Sequence, residues 1–248
     1  MNAAWLEADW PAPPAVRLIS TFRGGGGAGV STAPYESLNL GDHVGDEHAA
    51  VAENRRRLRA AAGLPSEPAW LRQVHGANVA DLDASDPLGG ADAAIARRSG
   101  AVCAILTADC LPIAFSSESG DRIAAAHGGW RGLAAGVIPS TVRSMRVAPE
   151  HLLVWLGPAI SSKHFEVGAE VREAFLKRQP FAGEAFEPNA RGRFMADLTM
   201  LARLELKALG IERIYGGGEC TYARADRYFS YRRDGVTGRQ ATLIWREP

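Results

Sequence analysis

Residues 101–132 read AVCAILTADCLPIAFSSESGDRIAAAHGGWRG. From Ala101 to Phe115 the stretch is almost unbroken in its apolar character, and from Arg122 to Ala126 a second short run follows. Both are read as buried strands. Between them Ser116 to Asp121 is a Ser/Gly/Asp turn segment, so the pattern predicts an antiparallel hairpin whose loop faces solvent. Two reactive side chains interrupt this apolar stretch: Cys110 near the end of the first strand and His127 at the end of the second. A sulfur and an imidazole on buried strand ends call for a chemical reading.

Around that centre, composition sets limits. A 46% apolar fraction over 248 residues supports a true core, and no Pro- or Ser-rich linker divides the chain. One domain over residues 16–248, preceded by an N-terminal extension over 1–15, is expected. Lys plus Arg equals Asp plus Glu at 28 each, which removes any global field for nucleic acid or an anionic membrane. No apolar run approaches the roughly 20 residues of a membrane span, and MNAAWLEADWPAPP lacks a signal-peptide layout. A cytoplasmic protein, expected as a monomer, follows. Three cysteines, an odd count, fit free thiols in a reducing compartment better than a disulfide framework.

Taken in order, Val16 to Phe22 reads as a strand, followed by a glycine-rich stretch from Arg23 to Gly29. Such a loop either brings backbone amides to a ligand or is a surface turn; without a following Lys-Ser/Thr it is no P-loop. The polar loop SLNLGDHVGD carries Asn39, Asp42 and His43. A helix then has Asp46 as N-cap, Val51, Leu58 and Ala62 on one face, and Gly63 with Pro65 as its stop. Arg55, Arg56 and Arg57 read as a solvated face. Trp70 to Val79 has strand composition on both sides of Gly76, placing Gln73 and His75 on one face. Gly89 to Asp92 is a turn, and Ala93 to Ala96 a short strand.

After His127, GGWRG leads into a helix bearing Leu133, Val137, Val142 and Met145, in which Pro139 demands a late start or a kink. Glycines and Arg131 ahead of that helix suit either an anion or a plain tight turn. Leu152 to Leu156 is a strand, and Val167, Val171 and Phe175 mark a helix. Asp197 caps another that ends at Gly210, and Ile211 to Tyr215 is a further strand. The end, YFSYRRDGVTGRQATLIW, reads as a hairpin turning at Asp234-Gly235 with Arg232 and Arg233 at its tip.

His75, Cys110 and His127 stand too far apart in sequence to form a compact ligand motif. Each sits at or near a strand end beside glycine or proline, where turns can bring three ends together. Two imidazoles and a thiolate make a suitable catalytic Zn2+ set with a fourth position for water or substrate. Without metal, Cys110 and His127 form a nucleophile and base for amide hydrolysis. A third alternative is a noncatalytic binding module in which all three are merely buried.

The segments SLNLGDHVGD, RQVHGANV, TADCLPI, AHGGWRGL, LGPAI, FEVGAEV and ECTYARADRYFSYRRDGVTGR resemble, in order, the signature blocks of the YfiH-like family. It is also called the laccase-domain or polyphenol oxidase family, and its members are described as purine nucleoside phosphorylases with adenosine deaminase side activity. The resemblance runs from about Val16 to Trp245. It implies a single α/β domain with mixed β-sheets flanked by helices, similar to the toxin deamidases. It also implies zinc on His75, Cys110 and His127, and phosphorolysis of adenosine, inosine and methylthioadenosine to free base and a ribose 1-phosphate species. Some relatives are linked instead to editing of peptidoglycan precursors. The chain departs from the family's usual pattern in the extra glycine of FRGGGGAGVS, in His164 where cysteine is common, and in Gly128 where alanine is common.

Residue counts test the oxidase label. A four-copper centre needs about ten His ligands and His-x-His pairs, whereas this chain has six His and no such pair; a single copper remains compatible. The H-x-E with P-C-x-x-C deaminase signature is absent as well. Phosphorolysis requires a cationic cradle, for which Arg23, Arg131 and Arg232 are candidates because guanidinium forks match phosphate oxygens. Asn39, His43 and Gln73 are candidates for holding ribose or base.

Overall fold

The computed structural model describes residues 4–24, 29–84 and 90–247. In chain order the strands are β1 (Trp5–Glu7), β2 (Val16–Thr21), β3 (Ala69–Trp70), β4 (Val79–Asp81), β5 (Ala93–Ala96), β6 (Val102–Thr107), β7 (Leu111–Ser117), β8 (Ile123–Gly128), β9 (Leu152–Leu156), β10 (Glu166–Val167), β11 (Phe186–Pro188), β12 (Phe194–Ala196), β13 (Ile214–Gly216) and β14 (Gln240–Arg246). The helices are α1 (His48–Ala62), α2 (Trp130–Ala135), α3 (Val137–Met145), α4 (Ala169–Leu176), α5 (Leu198–Ala208) and α6 (Tyr231–Asp234).

Two mixed sheets stack face to face. The first runs β1-β2-β14-β6-β3 and the second β13-β9-β7-β8-β5-β4, with a small β10-β12-β11 sheet alongside. Between the two sheets lies a core of small and medium side chains, among them Ala94, Cys103, Ile105, Ala114, Ala125 and Ile244. The outer face of the second sheet is covered by helical residues such as Leu133, Ile138, Val142, Phe175 and Leu206. On the first sheet's outer face Leu58 from α1 packs with Val102, Leu106 and Leu243. The sequence therefore spells four layers, α/β/β/α, as expected for an α/β domain with mixed sheets. Strands buried on both faces need no polar alternation, which is why 102–107 and 111–117 read as continuous apolar runs.

Several expectations are corrected. The first apolar run is two strands in different sheets: β6 pairs with β14, whereas β7 pairs with β8 and β9. The hairpin is real, but it joins β7 to β8. The chain switches sheets at Ala108-Asp109-Cys110, where Asp109 takes φ 102°. Pro112 is tolerated near the start of β7, and its carbonyl accepts from Gly157 N at 2.8 Å. Residues 71–78 are irregular apart from a bridge at Arg72, not a strand through Gly76. The final hairpin is absent too: 231–234 is a short helix capped by Ser230, and only 240–246 is strand. Asp46 is not the N-cap of α1, a position held by Glu47; its carboxylate instead accepts from Ser31 Oγ and Asn39 Nδ2.

Other readings stand. α3 begins after Gly136 (φ 89°), so Pro139 falls in its first turn, where no intrahelical N–H is needed. Asp197 accepts from Met200 N at 2.9 Å and caps α5. The stretch read as an extension contributes β1, paired antiparallel with β2, while Leu6 and Trp10 pack on the inter-sheet core. The glycine-rich loop lies largely outside the described residues.

Candidate metal centre

Three chain segments converge where the second sheet ends. Cys110 comes from the sheet-switching turn before β7, His127 from β8, and His75 from the irregular stretch after β3. In the β7–β8 ladder Pro112 lies opposite His127, so the sulfur two residues earlier is carried to the His127 end of the pair. One candidate donor atom from each of His75, Cys110 and His127 lies within 4.8 Å of the others. The two rings meet edge to face, their centroids 4.8 Å apart. Tetrahedral bonds of about 2.0–2.3 Å place donors about 3.5 Å apart, so small side-chain movements close the set around one ion. No other group of three His, Cys, Asp or Glu donors is found among the described residues.

Gly129 is the floor of this cluster. A Cβ there would stand 3.0 Å from His75 Cδ2, 3.1 Å from Cys110 Sγ and 3.4 Å from His127 Cε1. The backbone φ of −67° suits any residue, so the requirement for glycine is one of space.

Asp92, read in the sequence only as part of a turn, organises the centre. It is wholly buried. Its Oδ1 accepts from His75 N and meets His127 Nδ1, both at 2.9 Å, while Oδ2 accepts from Gly76 N at 2.7 Å and Val74 N at 3.1 Å. A carboxylate can only accept, so the ring proton sits on Nδ1 and Nε2 is turned toward the sulfur. The same amides hold His75 at φ 59°, a left-handed conformation that a strand through this residue would have forbidden. Burial alone would raise the Asp92 pKa, but the His127 contact and the Gly76 and Val74 amides outweigh it and keep the group ionised.

The thiol and imidazole polarise each other. Burial pushes the Cys110 thiol up, yet His127 and then His75 more than reverse this and hold it below the ordinary thiol value. For His127 burial favours the neutral ring, and the Cys110 sulfur and Asp92 together raise it above its usual value. Both shifts favour the thiolate, and a thiolate is the form that binds metal.

The other candidates spread around this core. Asp109, unremarked in the sequence, is buried; its Oδ1 accepts from Thr221 Oγ1 and Oδ2 from Arg232 N, both at 2.7 Å. Those bonds hold the strained turn that presents Cys110. Arg232 itself donates to Glu166 O and stacks on Phe165. Arg23 commits its three nitrogens to the Glu36 and Ala225 carbonyls over the Phe229 ring. Arg131 is exposed against Trp130. Asn39 is buried and fully bonded within its own loop and to Arg239 and Asp46. Gln73 brackets the Leu106 peptide through Oε1 and Nε2. His43 is exposed beside Asp42. His164 stacks on Tyr222 at 4.2 Å. Sequence reasoning missed the roles of Asp92, Asp109, Gly129 and Arg239; Asp92 was visible only as the end of a turn and Asp109 only as the residue before Cys110. A separate cleft of about 230 Å3 among Trp155, Gly157, Gly216 and Gly217 contains none of the three donors.

This fold and site define an α/β protein with a His-Cys-His donor set built at a seam between two sheets. The family model described as multi-copper polyphenol oxidoreductase laccase matches residues 17–247, and the chain belongs to that laccase-domain, YfiH-like family. A purine nucleoside phosphorylase of Pseudomonas aeruginosa is 54% identical over 246 residues, covering 99% of each chain. Purine nucleoside phosphorylase YfiH of Escherichia coli is 50% identical over 97% of this chain and 98% of its own. Among solved structures, a Neisseria meningitidis protein superposes with TM-score 0.93 at 47% identity, covering 99% of this chain and 100% of that one. YlmD from Geobacillus stearothermophilus also reaches 0.93, at 31% identity over 100% and 98%.

Proposed function

We propose that the chain is a zinc-dependent purine nucleoside phosphorylase that splits adenosine or inosine with phosphate, and methylthioadenosine in the same way, with adenosine deamination as a side activity. The observation that carries this reading is the His75–Cys110–His127 cluster in a chain whose full-length relatives carry the phosphorylase name. The donor set fits Zn2+ with a position left for an exogenous ligand, and zinc bound there would act as a Lewis acid toward a substrate or water oxygen. One copper at the same donors is the alternative occupant; the four-copper oxidase implied by the family description finds too few histidines.

In phosphorolysis a phosphate oxygen bonds to ribose C1′ as the C1′–N9 bond breaks, and the purine leaves with that electron pair and takes up a proton. The chain's tasks are to hold phosphate against its charge, to orient the nucleoside and to keep the donor atoms fixed. Asp92 does the last by holding the His127 proton on Nδ1. Arg232 and His43 stand as substrate contacts, whereas Asn39 and Gln73 act as positioning residues through their loop and strand bonds. In deamination water adds at C6 and ammonia leaves, so phosphate and water attack different carbons of one bound nucleoside. Adenosine incubated with and without phosphate, with adenine, inosine and hypoxanthine separated, tests this. Adenine formed only with phosphate supports it; no phosphate-dependent base release rejects it.

A second reading rests on the Cys110–His127–Asp92 order, which is that of a nucleophile, a base and the group that orients it. It would be an amide hydrolase. Amide cleavage that survives chelation and is blocked by alkylating Cys110 would favour it.

A further inference from the structure

Arg239 is a half-buried guanidinium whose charge no carboxylate contacts among the described residues. It precedes β14 and is fixed at several points: its N donates to Asn39 Oδ1 at 2.8 Å, its carbonyl accepts from Leu40 N at 3.0 Å, and Nη1 donates to the Thr237 and Gly238 carbonyls at 2.9 and 3.0 Å. Its stem lies on Gly41, where a Cβ would fall 2.7 Å from Arg239 Cγ. The side chain is half-buried and has no carboxylate within ion-pairing distance among the described residues.

Its neighbour Gln240 pairs with Thr107 at the end of β6, which sets Arg239 beside the turn that carries Asp109 and Cys110; burial works against its charge, and the Cys110 sulfur and Asp109 are the foremost acidic groups whose fields support it. Neither acid neutralises it by contact. Both Asp109 oxygens are occupied by Thr221 and Arg232 N, and nearby Asp42 faces Arg55 and His43. With Nη1 bound to carbonyls, the Nε and Nη2 hydrogens carry no bond among the described residues. Those two donors form the edge of the fork that grips an oxyanion. A partly desolvated cation with no counter-charge is costly unless an anion completes it.

We propose that Arg239 is the anion subsite of this centre, taking two oxygens of inorganic phosphate on its Nε–Nη2 edge beside Cys110. The proposal deepens the phosphorolysis reading and rests on it for the identity of the anion. It also separates Arg239 from Arg23, whose Nε, Nη1 and Nη2 all donate to backbone carbonyls, and from Arg232, which is exposed on the surface against Phe165.

The test uses the purified full chain, Arg239→Gln and Arg239→Lys, each checked for bound metal and melting temperature. The KM for phosphate and the KM for adenosine are measured separately, and inorganic phosphate is titrated calorimetrically without nucleoside. Arg239→Gln should raise the phosphate KM and Kd about 10- to 100-fold with the adenosine KM held; Arg239→Lys should recover part of this as a point charge. Should Arg239→Gln fail to fold, Arg239→Lys carries the comparison. Phosphate affinity unchanged in the folded variants, or no phosphate binding by the wild type, overturns the subsite. Absence of phosphate-dependent base release alone overturns the phosphorolysis reading, and phosphate binding lost in Arg239→Gln would still sustain the subsite.

Discussion

At the residue scale, the position of the donor set depends on two residues packed beside it, Asp92 and Gly129. Asp92→Asn keeps the shape but can offer an N–H where three amides and a ring proton need an acceptor. Zinc affinity should fall about 10- to 100-fold, read by competition with a chromogenic chelator, with the melting temperature showing whether the fold survives. Gly129→Ala inserts a methyl group into contact with all three donors. Metal content should drop in the purified variant while its circular dichroism is retained, and a fully loaded Gly129→Ala would contradict the packing. The three candidate donors were legible from their placement beside glycine and proline, but Asp92 was not. Its role comes from four contacts spread over Val74, His75, Gly76 and His127, and no local pattern records a carboxylate that folding inserts between distant segments.

At the element scale, Arg178 shows how the helical layer is tied. Its guanidinium donates to the Leu133 and Ala134 carbonyls at the end of α2 and to Glu205 of α5 at 2.5 Å. Arg178→Ala leaves the Glu205 carboxylate unpaired and should cost about 2–3 kcal/mol, less than the fully buried case because the guanidinium is partly solvated; urea midpoints measure it. Burial raises the Glu205 pKa more than Arg178 lowers it. The folded form then holds a proton more tightly than the unfolded one. Its stabilising contribution is complete below the ordinary carboxyl value and is lost as pH rises through the raised folded value. Lowering the pH from neutral into the carboxyl range should therefore strengthen the wild type relative to Glu205→Gln, and equal pH profiles would refute this. Helix boundaries here followed readable signals, Gly63, Asp197 and Gly210 among them. The terminal hairpin did not, because Ser230 caps Arg233 N and starts a helical turn where Asp234-Gly235 suggested a strand reversal.

At the scale of the whole molecule, apolar runs and helical faces marked buried strands and helices, and the family resemblance implied mixed sheets with helices outside, but the sheet membership of residues 101–117 was not legible. Periodicity says that a segment is buried on both faces, not with which neighbours it pairs. The candidate metal centre sits at the edge of this architecture and not inside the inter-sheet core, so if a metal held there serves the reaction proposed above, stripping it with a chelator should abolish turnover while far-ultraviolet circular dichroism persists. Removing residues 1–9 deletes β1 and uncovers Leu6 contacts on the core; a clear loss of melting temperature is expected, and an unchanged value would show that this strand adds nothing. The kinked passage at Asp109 carries a last implication. Because only Ala108, Asp109 and Cys110 hand the chain from one slab to the other, and the last of them bears the sulfur, the reactivity of Cys110 toward a maleimide becomes a strain gauge for the alignment of the slabs. Distant substitutions that let them slip should surface first as altered labelling kinetics, ahead of any unfolding.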